Sequence, residues 1–425
     1  VSGPRRVVVT GLDVIAPGGT GLGPFWDSIT AGRTATRKIS TFDPAPFRSQ
    51  IAAEATFDGE SAGLSSRQRA RAGRAAQFAL VTARGAVKRA GLDISGFDPQ
   101  RVGVTIGSAV GATIEFEQDY RVVSDDGRLE VIDPSLSGQG FYQHFVPSSF
   151  VQEVAADTGA GGPCVVVSTG CTSGIDAVGQ AARLIADGTT DVMLAGGTDA
   201  PISPITVACF DAIRATSNHN DDPATASRPF DASRNGFVLG EGAAMLVLEE
   251  LDAALARGAR VYGEVLGYAT RCNAFHMTGL RPDGCEMSAA IDDAMRRSGL
   301  SADDVDYVSA HGSGTKQNDL HETGAVKRSL GTRSYAVPMS SIKSMIGHSL
   351  GAIGSIEIAA CLMAMSTSTV PPTANLRDPG PGCDLDYVPI TARETPVRNA
   401  LTVGSGFGGF QSAMVLGRGE MGVAA

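Results

Sequence analysis

One order of strand-like and helix-like segments occurs twice along this 425-residue chain, and a chain built that way has few ways to fold. In the first half a strand signal over 5–17 is followed by Val102-Gly103-Val104-Thr105-Ile106-Gly107. A β-branched run over 165–168 then stops at Gly170-Cys171, a helical run covers 175–185, and a strand over 243–248 closes the half. The second half repeats the order with 260–269, then 305–312, a helix start near His348, and strands over 401–404 and 412–416. Strands alternating with helical runs of about ten residues or more predict an α/β architecture with mixed sheets. Duplication predicts two such units, 1–255 and 256–425, stacked about an internal pseudo-twofold that brings the starts at Cys171 and His348 face to face.

Cys171 stands where a buried strand turns into a helix. A thiol at a helix N-terminus lies in the positive end of the backbone dipole, which predicts a lowered pKa and a usable thiolate. The other six cysteines show no CxxC spacing, so neither a disulfide framework nor a zinc site is expected. A formal charge of −10, from 35 basic and 45 acidic residues, argues against broad binding to nucleic acid or to an anionic membrane. The opening stretch Arg5-Arg6-Val7-Val8-Val9-Thr10-Gly11 enters a strand without the roughly 7–15-residue apolar run of an export signal. The apolar helix near 350–365 is interrupted by Glu357, so no membrane span is read, and a cytoplasmic location is expected.

Two further segments carry groups that could serve a nucleophile. One strand ends in Ala310-His311-Gly312-Ser313-Gly314-Thr315, whose small residues let a ligand backbone approach and whose hydroxyls can bond the amides of an extended arm. The other, Ser340-Ser341-Ile342-Lys343-Ser344-Met345-Ile346-Gly347-His348-Ser349-Leu350-Gly351, sets Lys343 five residues before His348. Taken singly, each has a plain reading: a structural strand-end histidine, a surface lysine, an N-cap histidine.

Together with Cys171 these segments resemble the β-ketoacyl synthases of the thiolase superfamily. The resemblance runs over nearly the whole chain, through Val7-Val8-Val9-Thr10-Gly11, Ser227-Arg228-Pro229-Phe230-Asp231, Gly236-Phe237-Val238-Leu239-Gly240-Glu241-Gly242-Ala243, Asn273-Ala274-Phe275-His276-Met277-Thr278, Pro371-Pro372-Thr373-Ala374-Asn375-Leu376 and Gly406-Phe407-Gly408-Gly409. Within the family the chain is most similar to the catalytic ketosynthase alpha subunit of bacterial type II aromatic polyketide synthases. Ser168-Thr169-Gly170-Cys171-Thr172-Ser173-Gly174 and His311-Gly312-Ser313-Gly314-Thr315-Lys316-Gln317-Asn318-Asp319 carry that likeness.

The resemblance implies a thiolase-like, five-layer αβαβα fold made of two pseudo-symmetric halves, and a decarboxylative Claisen condensation. Cys171 would hold the acyl or polyketide chain as a thioester, with the backbone N–H groups of Cys171 and Phe407 as oxyanion hole. Gly406, Gly408 and Gly409 would permit the close approach this needs, and Phe407 would also gate the cysteine. His311 and His348, as neutral imidazoles, would stabilise the enolate left by malonyl decarboxylation, and Lys343 would pair with Glu322 near His311.

No cofactor or metal is expected to be bound; substrates would arrive on the phosphopantetheine arm of an acyl carrier protein, with Thr278, Ser313 and Thr315 as contacts. Arg67, Arg69, Arg71 and Arg74 form a candidate cationic docking face for that acidic carrier. A homologous chain-length factor is the expected partner in a heterodimer, meeting this chain near 165–168. Asn235 and Ser405 depart from residues common among relatives, so fatty-acid substrate preference does not carry over.

Four alternatives compete. Gly347-His348-Ser349-Leu350-Gly351 fits the G-x-S-x-G nucleophile elbow and would make Ser349 the nucleophile of an acyltransferase, but no strand leads directly into it and no later histidine follows. A noncatalytic chain-length-factor-like protein would lack the cysteine that Cys171 supplies. A stand-alone fatty-acid β-ketoacyl-carrier-protein synthase is the nearest enzymatic rival. The glycines at 404–409 read as a dinucleotide fingerprint lack the following helix and acidic residue.

Overall fold

Both halves do build the same sheet. In the computed structural model, which describes residues 5–281 and 283–418, β1 (Val7–Ala16), β2 (Val102–Gly107), β3 (Cys164–Val167), β4 (Val192–Asp199) and β5 (Gly242–Glu250) belong to the first half. The second holds β6 (Gly263–Cys272), β7 (Tyr307–Ser309), β8 (Met339–Ser340), β9 (Asn399–Gly406) and β10 (Phe410–Gly417). Hydrogen bonding orders them β3-β2-β4-β5-β1 and β8-β7-β9-β10-β6, which is third, second, fourth, fifth, first in each half. In both, the three strands from the outer edge run parallel and the remaining pairings are antiparallel. The halves join edge to edge where Val8 pairs with Glu264 and Val9 with Gly263. The outer limits of the expected units, residues 1 and 425, lie outside the described residues.

In the central strands side chains alternate between two cores, as a period of two requires. Leu246 and Leu248 of β5 and Met414 and Leu416 of β10 face a shared central core. Their neighbours Met245 and Val247 face one outer core, and Ala413 and Val415 the other. The central core holds two helices, α3 (Ser173–Ala186) and α6 (Ile353–Thr367). On the outer faces lie α1 (Arg74–Ala90) and α2 (Ser149–Thr158) against the first sheet, and α4 (Cys285–Ser298) and α5 (Lys316–Leu330) against the second. The result is five layers, α-β-α-β-α.

Among the described residues, one helical stretch, Leu350–Thr367, is long and apolar enough to cross a membrane, and 83% of it is buried inside this fold. A helix apolar on every side is what a position between two sheets demands. The two central helices start in contact because glycines let them. A Cβ on Gly174 would lie 2.7 Å from the Ser355 amide nitrogen and 2.8 Å from the Gly351 carbonyl oxygen, and one on Gly354 would lie 2.9 Å from the Ile175 nitrogen. That crossing carries Cys171 and His348 to one place, as the duplicated order predicts. Strand β4 was absent from the sequence pattern of the first half; it completes the match to β9.

Candidate active site

Cys171, His311, His348 and Phe407 all line one cavity of about 460 Å³. Cys171 occupies a 3-10 turn, Gly170–Thr172, that leads into α3. Gly170 there has φ 60°, a left-handed backbone that glycine adopts without a Cβ penalty. Beneath the turn the buried Asp176 accepts hydrogen bonds from the Thr172 hydroxyl at 2.8 Å, from Tyr268 at 2.9 Å and from Ser412 at 2.6 Å, and Thr169 donates to it as well. Two of those donors flank the cysteine and two come from the second half, so Asp176 fastens the nucleophile's turn across the pseudo-twofold.

The expected lowered pKa of Cys171 is overturned. Burial pushes the thiol up to about 12, against the opposing pull of the Lys343 cation and the Phe407 N–H. The cause is desolvation of a charged sulfur, because the turn packs onto an apolar cluster holding Val207, Phe237 and Leu350. The Phe407 backbone lies beside the Cys171 turn: a Cβ on Gly170 would lie 2.9 Å from the Phe407 carbonyl oxygen and 3.7 Å from its nitrogen. Gly406 makes the approach possible: a Cβ there would lie 2.9 Å from the Thr169 carbonyl oxygen and 3.1 Å from the Cys171 nitrogen. Gly408 and Gly409, at φ 93° and 85°, form the turn into β10, and a Cβ on either would strike Phe410 or Asn273. The Phe407 ring tilts against Phe210 at 6.2 Å between centroids, beside the cysteine.

His311 and His348 meet edge to face, 5.3 Å between ring centroids. Burial first, then the Lys343 cation, holds both well below the ordinary histidine value, so both are neutral near pH 7. The Leu350 N–H donates to Nδ1 of His348 at 3.2 Å, which fixes the tautomer with the proton on Nε2. Leu350 reaches that position with φ 48°, a left-handed conformation that costs a leucine on the order of 1–3 kcal/mol and that surrounding packing must enforce. Phe237 stands edge-on to the His348 ring at 5.3 Å.

The partner expected for Lys343 is corrected. Its ammonium pairs with Glu357 of α6, both groups 1% exposed, and also donates to the His311 carbonyl. Glu322 is taken by other bonds: one carboxylate oxygen accepts the His311 N–H at 2.6 Å and the other the Gly312 N–H at 2.7 Å. Glu322, which also accepts from the Asn318 amide at 3.4 Å, thus clamps the histidine loop itself; burial pushes its carboxyl up to about 8. Asp319, one turn earlier on α5, holds the same loop through the Gly314 N–H at 3.2 Å and pairs with buried Arg234.

Thr278, Ser313 and Thr315 all line the cavity, where an incoming arm would pass. Thr315 also caps α5 by accepting the Asn318 N–H, and shares a 3.0 Å bond with Ser313. The four-arginine face divides. Arg74 turns inward onto Glu241, Arg71 pairs with buried Glu153, and half-buried Arg69 pairs with exposed Glu60; Arg67 is exposed. A continuous cationic patch at all four positions is therefore not formed, because two of the arginines neutralise buried carboxylates.

Ser349 is 1% exposed and its hydroxyl has no partner, so it cannot serve as an exposed nucleophile-elbow serine. Sequence reasoning passed over Glu357 as a mere interruption of an apolar helix, although a lone acid among apolar residues is itself the signal of a buried ion pair. Asp176 and Phe210 gave no comparable signal. Among the described residues no cluster of three or more histidine, cysteine or carboxylate side chains is arranged to hold a metal ion.

Residues 4–254 match the family model for the N-terminal domain of beta-ketoacyl synthase, and residues 262–377 that for its C-terminal domain. The chain is 60% identical over 414 residues to the tetracenomycin polyketide synthase ketoacyl synthase alpha subunit of Streptomyces glaucescens, covering 97% of each. Its structure is similar to the type II polyketide synthase assembly AntDE:AntF, a ketosynthase with its acyl-carrier protein and bound to a hexaketide. There the TM-score is 0.91 at 38% identity, over 98% of this chain and 100% of that one. It is also similar to the ishigamide ketosynthase/chain length factor, with TM-score 0.89 at 33% identity over 98% and 99% of the two chains.

Proposed function

The chain belongs to the beta-ketoacyl synthase family, and we propose that it is the condensing subunit of a type II aromatic polyketide synthase, lengthening carrier-bound chains with malonyl units. The observation that carries this reading is the convergence of a thiol, the Phe407 backbone and two neutral imidazoles on one cavity.

In the first step Cys171 attacks the thioester of an acyl carrier protein. The new S–C bond forms, the pantetheine sulfur leaves, and the thiol proton passes to it, so the exchange is close to thermoneutral. The Cys171 and Phe407 N–H groups hold the tetrahedral oxyanion. In the second, a malonyl thioester loses carbon dioxide as its carbon–carbon bond breaks and the electron pair moves to the thioester oxygen. Nε2–H of His348 and the imidazole of His311 donate to that oxygen. Being neutral, they lower the enolate's energy without quenching it as an acid of low pKa would. In the third, the enolate carbon attacks acyl-Cys171, the new carbon–carbon bond forms, and the cysteine sulfur leaves and takes up a proton. Lys343 acts through its neighbours, joining the His311 strand end to α6 and keeping both rings uncharged.

Thr278, Ser313 and Thr315 bind the phosphopantetheine arm, and Phe407, backed by Phe210, gates the cysteine. Arg67 and Arg69 are the members of the arginine group left to receive an acidic carrier. The two halves act as one catalytic unit. A homologous chain-length factor pairs with edge strand β3, whose Val165 is 39% exposed on a sheet edge that no strand among the described residues covers. The acyl-carrier protein and the chain length factor that accompany the similar ketosynthases support both partners, and the alpha-subunit relative favours this reading over a stand-alone fatty-acid synthase.

The test separates loading from decarboxylation. In His311→Ala and His348→Ala, acyl loading of Cys171, read by intact-protein mass, is expected to persist while carbon dioxide release from malonyl carrier protein falls about 100-fold or more. Loss of loading with decarboxylation retained would contradict these roles.

A further inference from the structure

The carboxylate of Asp199, at the end of β4, is fully buried and has no part in the chemistry so far described. Four donors converge on it. The Ser108 hydroxyl lies at 2.7 Å and the Ala109 and Val110 N–H groups at 2.9 and 3.4 Å, all from the loop that follows β2; the Gly351 N–H at 2.7 Å comes from the other half. Glycines bring these backbones together. A Cβ on Gly351 would lie 2.5 Å from the Ala109 nitrogen and 2.7 Å from the Asp199 carboxylate, and one on Gly197 would lie 2.9 Å from the Gly351 oxygen. Gly351 directly follows the left-handed Leu350, whose N–H fixes the His348 ring. Ala109, Val110 and Cys171 pack on one apolar cluster with Leu350.

We propose that Asp199 is a positioning residue that ties the His348 turn to the Ser108–Gly111 loop beside Cys171, setting the distance between the enolate-stabilising imidazole and the acylated sulfur. The inference rests on the condensing function proposed above and assigns Asp199 a part in the decarboxylation step. A carboxylate is required because every group facing it is a donor; an amide in its place would turn an NH2 toward N–H groups. Its negative charge has a second consequence, since it opposes ionisation of the Cys171 thiol.

Asp199→Asn in the full chain, assayed with its partner and carrier protein, is expected to slow malonyl decarboxylation about tenfold or more, the scale of a small misplacement of a reacting group. Acyl loading of Cys171 is expected to change by less than about threefold, while alkylation of Cys171 by iodoacetamide at about pH 8 becomes faster as the opposing charge is lost. Ser108→Ala removes one donor and keeps the charge, so it is expected to slow decarboxylation by about two- to fivefold with alkylation unchanged. Should Asp199→Asn fail to fold, the Ser108→Ala measurements decide. Wild-type decarboxylation in the folded Asp199→Asn enzyme overturns the proposal, as does a parallel fall in loading, alkylation and decarboxylation. In Ser108→Ala the contradicting result is unchanged decarboxylation or a parallel loss of loading. Failure of the condensing function itself would look different: the wild-type enzyme would neither load Cys171 nor release carbon dioxide.

Discussion

At the scale of single residues, the site is built from groups kept uncharged. Cys171 rests as a thiol because burial outweighs the Lys343 cation, and His311 and His348 rest as neutral imidazoles because burial and that same cation act in one direction on a base. One lysine thus favours the thiolate and disfavours the imidazolium, which is the combination that acyl transfer followed by enolate stabilisation requires. The sign for the cysteine is open to measurement. With its pKa pushed up to about 12, the thiolate fraction rises with pH throughout the accessible range. The logarithm of the iodoacetamide alkylation rate should therefore climb with a slope near one from about pH 7 to 9.5 without a plateau. A plateau below about pH 8 would mean that the helix terminus dominates after all.

At the scale of elements, what was legible in the sequence is what backbone pattern controls. The β-branched run into Gly170-Cys171 announces a strand meeting a helix, and a helix start near His348 takes the same place in the second half's order, so the opposition of the two starts was legible in the sequence. The arrangement of charges could not. Lys343 lies 14 residues from Glu357 and 21 from Glu322, and which of them it reaches depends on how α6 crosses under the short helix Lys343–Ile346, a tertiary fact. The arginines at 67–74 failed for the same reason: helix signals place them near one another but do not say that Glu153 and Glu241 lie beneath.

The Lys343–Glu357 pair gives a test at this scale. Lys343→Ala leaves a buried carboxylate unpaired and should cost about 3–5 kcal/mol in chemical denaturation. Lys343→Met combined with Glu357→Leu should recover most of that stability while decarboxylation stays low. Recovery of decarboxylation in the double variant would show that the lysine's charge has no role near the histidines.

At the scale of the whole molecule, a duplicated half-sheet creates a reaction chamber where the two copies touch. The first copy supplies the nucleophile, the second the imidazoles, and α3 and α6 cross between the sheets close enough for both sets to share one cavity. The same architecture leaves β3 as an edge, and an exposed valine on an edge strand invites another sheet. Val165→Lys should weaken association with a chain-length factor in light scattering by about tenfold or more, while alkylation of Cys171 in the isolated chain is unchanged. Unaltered assembly would place the partner elsewhere. The most direct measurement is intact-protein and peptide mass spectrometry of this chain, with its partner, after exposure to an acyl carrier protein charged with an acyl group. The account expects one acyl adduct, located on Cys171 and absent from Cys171→Ala. An adduct that persists in Cys171→Ala, or that maps to Ser349, would contradict it.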